Sequence, residues 1–257
     1  MTFALTGKTV ADIRKLCKNA LVRRKLPLRD LASLLGNLSW ATAVVRYAQA
    51  HLRSLQSLYI EGLKSTEVNF QASVTITPNT ESDLSWWIND AKFEEGKAII
   101  MSATDISIYT DASLSGWGAV CQGIRTGGPW SRAESNYHIN QLELLAALKG
   151  LECFTATNFG STVELNIDNT TAVSYINKLG GSRSPLLCAV ALRISAWCES
   201  RDMDLHAVFL PGVYNILADA ESRRPLTAGD WKLDRLTFKQ IQSTWRSEID
   251  LFASEWN

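Results

Sequence analysis

The sequence predicts an α/β fold, a mixed five-stranded sheet with helices on its faces, preceded by a small helical region. Three observations predict it. Before residue 66, apolar residues recur at three- and four-residue spacing, the period of a helix with one buried face. From Asp105 the pattern changes to three successive β-type segments. Beyond residue 140, leucine-striped helical segments alternate with apolar β-type segments, the order that builds a sheet with helices packed on it.

The elements follow in order. Residues 9–25 read as an amphipathic helix, with Val10, Ile13, Cys17, Ala20 and Leu21 on one stripe and Lys or Arg opposite. Thr9, with Asp12 three residues on, resembles a weak cap for it. Pro27 opens a second helix, where its missing N–H costs nothing, and LRDLASLLGNLSWA supplies the stripe Leu28, Leu31, Leu34, Leu35 and Leu38. A helix-turn-helix with its turn at Gly36 is the competing reading of this segment. Trp40 and the unbroken stripe favour one continuous buried helix. A third helix is expected over residues 47–62. Residues 67–80 are polar and β-prone and read as a connector. SDLSWWINDA reads as a helix, with Trp86 and Trp87 as packing residues.

DISIYTDAS, GWGAVCQ and a segment ending near Trp130 read as three strands, with Gly116 and Gly127-Gly128 at the turns. Residues 140–154 form a helix whose stripe is Leu144, Leu145, Leu148 and Leu151. On a neighbouring face, Glu143, Ala147 and Gly150 let that side approach a sheet closely. VELNID is a fourth strand, TTAVSYINKLG a helix, PLLCAVALRISAWCESR a long amphipathic helix and DLHAVFL a fifth strand. Asn215 then caps a short final helix that carries Asp219.

Composition bounds the function. The 46% hydrophobic and 20% charged content is that of a globular chain, and the longest apolar stretch, residues 186–197, is interrupted by Arg193 and too short to cross a bilayer. Five cysteines without CxxC spacing predict reduced thiols and an intracellular setting, cytoplasm or nucleus. The N-terminus MTFALTGKTV lacks the pattern of a secretory signal. The zero net charge hides an asymmetry. Residues 1–66 hold eleven Lys or Arg against Asp12, Asp30 and Glu61, a net of +8, and the remainder carries −8. A basic front joined to an acidic body suits a chain that grips a polyanion with one part and metal ions with another, and a solvated amphipathic helix face is the equal alternative on charge alone.

Four acids end predicted strands or begin predicted helices: Asp111, Glu143, Asp168 and Asp219. Such positions converge on one edge of a sheet. Convergent carboxylates repel unless cations lie between them, so the pattern predicts a divalent metal site.

At these residues the chain resembles a known family. TDASLSGWGAV, HINQLELLAAL, LNIDNTTAV and LPGVYNILADAESR together resemble the type 1 ribonuclease H domain of reverse-transcribing elements, DIRS-type retrotransposons above all. LRDLASLLGNLSWATAVVRYAQAHLRSL is similar to the thumb and connection that follow a reverse-transcriptase palm. The resemblance implies four regions: a thumb-like helical region 1–66, a connection 67–104, a ribonuclease H-like domain 105–226 and a C-terminal extension 227–257.

It also implies roles. Asp111, Glu143, Asp168 and Asp219 would hold two Mg²⁺ ions, or Mn²⁺ in their place. One ion would activate a water and the other would stabilise the departing 3′ oxygen of an RNA strand paired with DNA. Ser113, Asn140, Gln141 and Asn169 would contact the hybrid, reading 2′-hydroxyls across its minor groove. For Asn140 and Asn169, helix capping is the equal alternative. Arg14, Lys18, Arg23 and Arg24 would bind its phosphates. The expected partners are the RNA–DNA hybrid and the rest of a reverse-transcriptase polyprotein, with no membrane. No YxDD-type motif occurs, so this segment is not expected to polymerise DNA.

Two departures from the family pattern bear on activity. The loop PGVYNILAD has Val213 and Tyr214 where many type 1 enzymes carry a His, which predicts slow turnover. His138, five residues before Glu143, reads as a loop histidine without a role, with partial substitution for the absent His as the alternative, and His51 and His206 read as structural. The short GGSRSP linker lacks the basic helical handle of some family members, so hybrid binding would fall to the N-terminal helices or to another part of the polyprotein. The alternative function is a catalytically inactive or domesticated nucleic-acid-binding remnant.

Overall fold

The computed structural model describes residues 2–98, 103–224 and 235–245. Two hydrophobic cores organise them. The first is built by α1 (Gly7–Arg23), β2 (Lys25–Pro27), α2 (Leu28–Ala41), α3 (Arg53–Ser65), β3 (Ser73–Thr75) and α4 (Pro78–Asn89), with an exposed strand pair, β1 (Thr2–Phe3) and β4 (Lys97–Ala98), beside it. α1 begins earlier than expected, because Thr6 and not Thr9 is its cap: the Thr6 hydroxyl accepts the Thr9 N–H at 3.4 Å. α2 runs unbroken through Gly36, which removes the helix-turn-helix reading. Trp40, expected in the core, is 62% exposed, because it lies two residues past Leu38 and so on the opposite side of the helix.

The third helix starts later than its apolar spacing suggests. A 3-10 turn, Ala50–Leu52, precedes α3, and His51 at its centre leaves helical geometry. Its carbonyl is thereby free to accept the Trp87 indole N–H at 3.0 Å. The expected connector 67–80 contains β3, which pairs antiparallel with β2, Leu26 opposite Val74.

The second core surrounds a five-stranded sheet of order β7-β6-β5-β8-β9. β5 (Ile106–Ala112), β6 (Gly116–Cys121) and β7 (Ile124–Pro129) form an antiparallel meander. α5 (Ile139–Phe154) leads to β8 (Thr162–Ile167), then α6 (Thr170–Asn177) and α7 (Pro185–Glu199) lead to β9 (Asp204–Phe209). β8 is parallel to both β5 and β9. α8 (Ile216–Ser222) returns to β6, and α9 (Arg235–Trp245) lies beyond it, so α8 is not the final helix.

Glycines set how closely the helices approach. A β-carbon on Gly150 of α5 would lie 2.8 Å from Thr110 Cγ2 and 3.2 Å from Ala119 Cβ. One on Gly118 would lie 2.3 Å from the Ala218 carbonyl oxygen of α8. Positions 118 and 119 are adjacent on β6, and neighbouring strand residues face opposite sides, so α5 and α8 cover opposite faces of the sheet. Gly116 closes the β5–β6 turn, as expected, and opens β6, whereas Gly127 and Gly128 lie within β7 and not at a turn. The β6–β7 turn lies at Gln122 and Gly123, both with positive φ. Gly116 and Gly127 serve helix packing: β-carbons there would lie 3.1 Å from the Ser222 carbonyl oxygen and 3.4 Å from Glu221 Cβ of α8.

The two halves meet at the pole of the sheet where β9 begins. Arg46 pairs with Asp202 at 2.8 Å and Asp204 at 3.0 Å, and the Tyr47 hydroxyl donates to the Met203 carbonyl. Arg53 donates to the carbonyls of Lys178, Leu179 and Gly180 past the end of α6. His51 bridges Asp83 of α4 (3.2 Å) and Glu199 of α7 (2.9 Å), stacked on Trp86. The junction thus uses the start of β9 and the ends of α6 and α7. Thr162 pairs with Asp204 there, and Asp168 follows six residues later, about 20 Å along the strand. No described helix is long and apolar enough to cross a membrane.

Candidate functional site

The opposite pole gathers the acids. The parallel register pairs Thr110 with Ile167, so the next residue on each strand, Asp111 and Asp168, emerges side by side. Glu143 reaches the same point from α5, whose small face lets it sink onto the sheet. Carboxylate oxygens of Asp111, Glu143 and Asp168 lie within 4.8 Å of one another. Asp111 and Glu143 are 3% and 4% exposed, and Asp168 is half-buried. Asp219 stands at the edge of this group. Its Oδ1 accepts the Arg223 Nε–H at 2.6 Å, and its charge is felt by both Asp111 and Asp168.

Electrostatics make the cluster unfavourable as three anions. Burial, then the charges of Asp111 and Asp168, push the Glu143 carboxyl up to about 9, against a partial pull downward from the Ala112 N–H. Burial also raises Asp111, reinforced by Asp168 and Asp219 and opposed by the Ser222 hydroxyl. Asp168 is raised by burial and by Asp219. Glu143 Oε2 is buried without a hydrogen-bond partner, an expensive state for a carboxylate oxygen unless a cation accepts it. An all-oxygen donor set with such an orphan fits Mg²⁺ or Mn²⁺.

The surrounding polar residues divide into internal ties and surface groups. Asn169 caps α6, its Oδ1 accepting the Ala172 N–H at 3.0 Å, while its Nδ2 donates to Asn140 Oδ1 at 2.9 Å. Asn140 is not a cap. That role falls to His138, whose Nδ1 accepts the Asn140 N–H, so the expected roleless histidine has a structural task. Gln141 is buried beside Glu143 in α5. Ser113, expected at the hybrid, is 7% exposed and committed inward. Its hydroxyl donates to the Ser222 carbonyl at 2.6 Å and accepts the Ser115 and Gly116 N–H groups. His206 pairs with Glu164 within the sheet. Val213 and Tyr214 are both 73% exposed, and a β-carbon on Gly212 beside them would lie 3.0 Å from Asp168 Oδ2.

Three residues with no signal in the apolar periodicity complete the site. Asn215 was expected to cap α8, but it makes no side-chain cap bond. It is 2% exposed and donates its Nδ2 to the Thr110 carbonyl at 2.9 Å, tying α8 to β5. The Ser222 hydroxyl donates to Asp111 Oδ2 at 2.5 Å. Arg223 holds Asp219. Asn215 and Ser222 act across elements far apart in sequence, whereas Arg223 acts within the last turn of α8.

The basic front lies on the other core. Arg14 and Lys18 line a groove of about 920 Å³ between α1 and Phe93, with the Arg14 guanidinium 5.4 Å from the Phe93 ring centroid. Arg23 and Arg24 instead pair with Asp30 (2.8 Å) and Glu81 (3.1 Å), so acids compensate half of the four expected phosphate contacts.

No family model matches the chain. It is 34% identical over 128 residues to the enzymatic polyprotein of Figwort mosaic virus (strain DxS), covering 45% of this chain and 18% of that protein. It is 28% identical over 130 residues to the enzymatic polyprotein of Carnation etched ring virus, covering 47% and 19%. The chain therefore spans less than a fifth of the length of the curated relatives it matches. Among solved structures it is similar to RNase H1 from the halophilic archaeon Halobacterium salinarum NRC-1, with 22% identity, a TM-score of 0.40, and coverage of 48% of this chain and 98% of that one. The strand order, the parallel β5–β8 pair and the helices on both faces identify the second half of this chain as a ribonuclease H-like fold.

Proposed function

We propose that the chain is a metal-dependent endonuclease that hydrolyses the RNA strand of RNA–DNA hybrids. The observation that carries this reading is the Asp111, Glu143 and Asp168 cluster at the end of a ribonuclease H-like sheet, with Glu143 Oε2 unsatisfied. Its setting is a retroelement polyprotein of reverse transcriptase and ribonuclease H, of DIRS type. In that polyprotein, residues 1–66 form the thumb-like region, 67–104 the connection, 105–226 the nuclease of type 1, and 227–257 an extension. The working place is intracellular.

Asp111, Glu143, Asp168 and Asp219 would hold two Mg²⁺ ions. Bound there, such ions supply a water activated at neutral pH and charge stabilisation for the departing oxygen. The chain's own residues do the rest. Burial of Asp111 and Glu143 excludes bulk water and keeps the ligand oxygens fixed. Releasing Asp219 from Arg223 frees a further carboxylate for the metals and a guanidinium for phosphate. Asn140, Gln141 and Asn169 stand next to the cluster, and the Asn140–Asn169 amide pair presents donors and acceptors suited to a 2′-hydroxyl.

A second reading, a non-catalytic nucleic-acid-binding module, is favoured by the ion pair that draws Asp219 to Arg223 and by the exposed Val213 and Tyr214 in the adjoining loop. One assay separates the two. The purified chain with Mg²⁺ is given a labelled RNA–DNA hybrid and a matched double-stranded DNA. The endonuclease reading expects cleavage of the RNA strand alone, abolished by Asp111→Asn with the fold retained. Hybrid binding without cleavage establishes the second reading, and equal cutting of both duplexes points to a general nuclease.

A further inference from the structure

We infer that Ser222 is a positioning residue that fixes which oxygen of Asp111 faces the metals and sets the spacing between the two acid-bearing elements β5 and α8. The inference rests on the metal-dependent reading above.

Ser222 is the last residue of α8 and is 1% exposed. Two acceptors lie within reach of its hydroxyl, Asp111 Oδ2 at 2.5 Å and the Asp219 carbonyl at 2.9 Å. A hydroxyl carries one proton. The shorter contact, to a carboxylate, is the stronger one, since charge-assisted O–H···O⁻ bonds fall at such distances and are roughly twice as strong as neutral ones. One lone pair of Asp111 Oδ2 is thereby taken and the carboxylate is held in one orientation, with Oδ1 outside this bond.

The backbone that carries the hydroxyl is held in place. The Ser113 hydroxyl donates to the Ser222 carbonyl at 2.6 Å, and Ser113 is itself held by the Ser115 and Gly116 N–H groups at the β5–β6 turn. The Ser222 nitrogen lies 2.6 Å from the point a β-carbon on Gly118 would occupy, so the backbone of α8 is seated directly on β6. Ser222 also follows Asp219 by three residues on the same helix. One hydrogen bond therefore ties the carboxylate of Asp111 to the helix that delivers Asp219.

Partners that orient a metal ligand typically contribute ten- to a hundredfold to metal affinity. The test compares the full chain with Ser222→Ala and Ser222→Cys; Cys keeps nearly the volume of Ser but donates weakly. Mn²⁺ binding is measured by calorimetry, the electron paramagnetic resonance spectrum of bound Mn²⁺ is recorded, and thermal melts without metal report the fold. The expected result is a loss of about tenfold in Mn²⁺ affinity in both variants, with an altered spectrum, while Cys retains a near-native melt. Wild-type affinity and spectrum in folded Ser222→Cys overturn the inference and leave the metal-dependent reading standing. Absence of Mn²⁺ binding by the wild-type chain overturns that reading, and this inference with it.

Discussion

The Ala218 carbonyl oxygen lies 2.3 Å from the position that a β-carbon on Gly118 would take, so α8 rests on bare backbone of β6. This contact sets the height of Asp219 and Ser222 above the sheet. Backbone on both sides leaves no flexible group to yield, so Gly118→Ala must lift the helix. The expected cost is about 3 kcal/mol of stability. Mn²⁺ affinity should fall with it, because Asp219 moves away from Asp111 and Asp168. Chemical denaturation and calorimetry of the variant check both. Unchanged stability would mean that α8 does not sit as closely as described.

His51 should make stability fall as pH rises. Burial pushes its pKa down, but hydrogen bonds and charges from Asp83 and Glu199 prevail and raise it to about 9. A raised folded pKa means that the stabilisation is complete below the unfolded value of about 6.5 and is lost as pH climbs through 9. The window is thus pH 6.5–9, and the contribution at its acidic end is on the order of 3 kcal/mol. His51→Gln should be less stable at pH 6 and show a shallower decline across the window. Urea midpoints at half-unit pH steps are the measurement.

Glu143 acts in the same direction for a different reason. With its folded pKa near 9, the metal-free protein holds a proton there that the unfolded chain releases above about 4.5. Stability therefore declines from pH 4.5 toward 9, and the charged form is penalised throughout. Glu143→Gln removes that penalty. The metal-free variant should be more stable than wild type at pH 7, by about 1–3 kcal/mol, and should bind Mn²⁺ poorly. Lower stability of the variant at pH 7 would show that Glu143 is not held as a strained acid.

The basic front predicts unequal effects among its four residues. Arg14 and Lys18 line the groove beside Phe93, whereas Arg23 and Arg24 are already paired with acids. Neutralising a lysine or arginine that contacts phosphate removes about one unit from the slope of log affinity against log salt. Arg14→Gln with Lys18→Gln should weaken hybrid binding and reduce the slope by roughly 2. Arg23→Gln with Arg24→Gln should change it less. Salt titrations of both double variants decide the point. An unchanged slope in the first means that the stripe is a solvated face.

Much of the architecture was readable from local pattern. The leucine stripe of α2, the three strands from Ile106 onward and the alternation after residue 140 all express period 3.6 or 2, which the chain carries residue by residue. The α/β class and the five-stranded sheet follow from that. The closeness of Gly150 to the sheet was readable too, because a small residue on the face of Glu143 leaves room for approach.

What local pattern could not carry was decided by contacts between distant segments. Gly127 looks like a turn residue because glycine signals both turns and close packing, and only the seat of α8 distinguishes the two. Asn215 looks like a helix cap, yet a bond to Thr110, 105 residues away, claims its amide. His138 looks idle until the first turn of α5 needs an acceptor. Ser222 and Arg223 are ordinary surface-type residues in sequence, and become part of the acid cluster because the tertiary fold brings α8 to the end of β5. The sequence by itself determined the main helices and the five strands of the large sheet, and which acids lie at their ends, since those depend on periodicity. The tertiary structure alone decided which oxygens meet, which charges are buried together and which basic residues are already compensated, since electrostatics depend on distance in space and on exclusion of water.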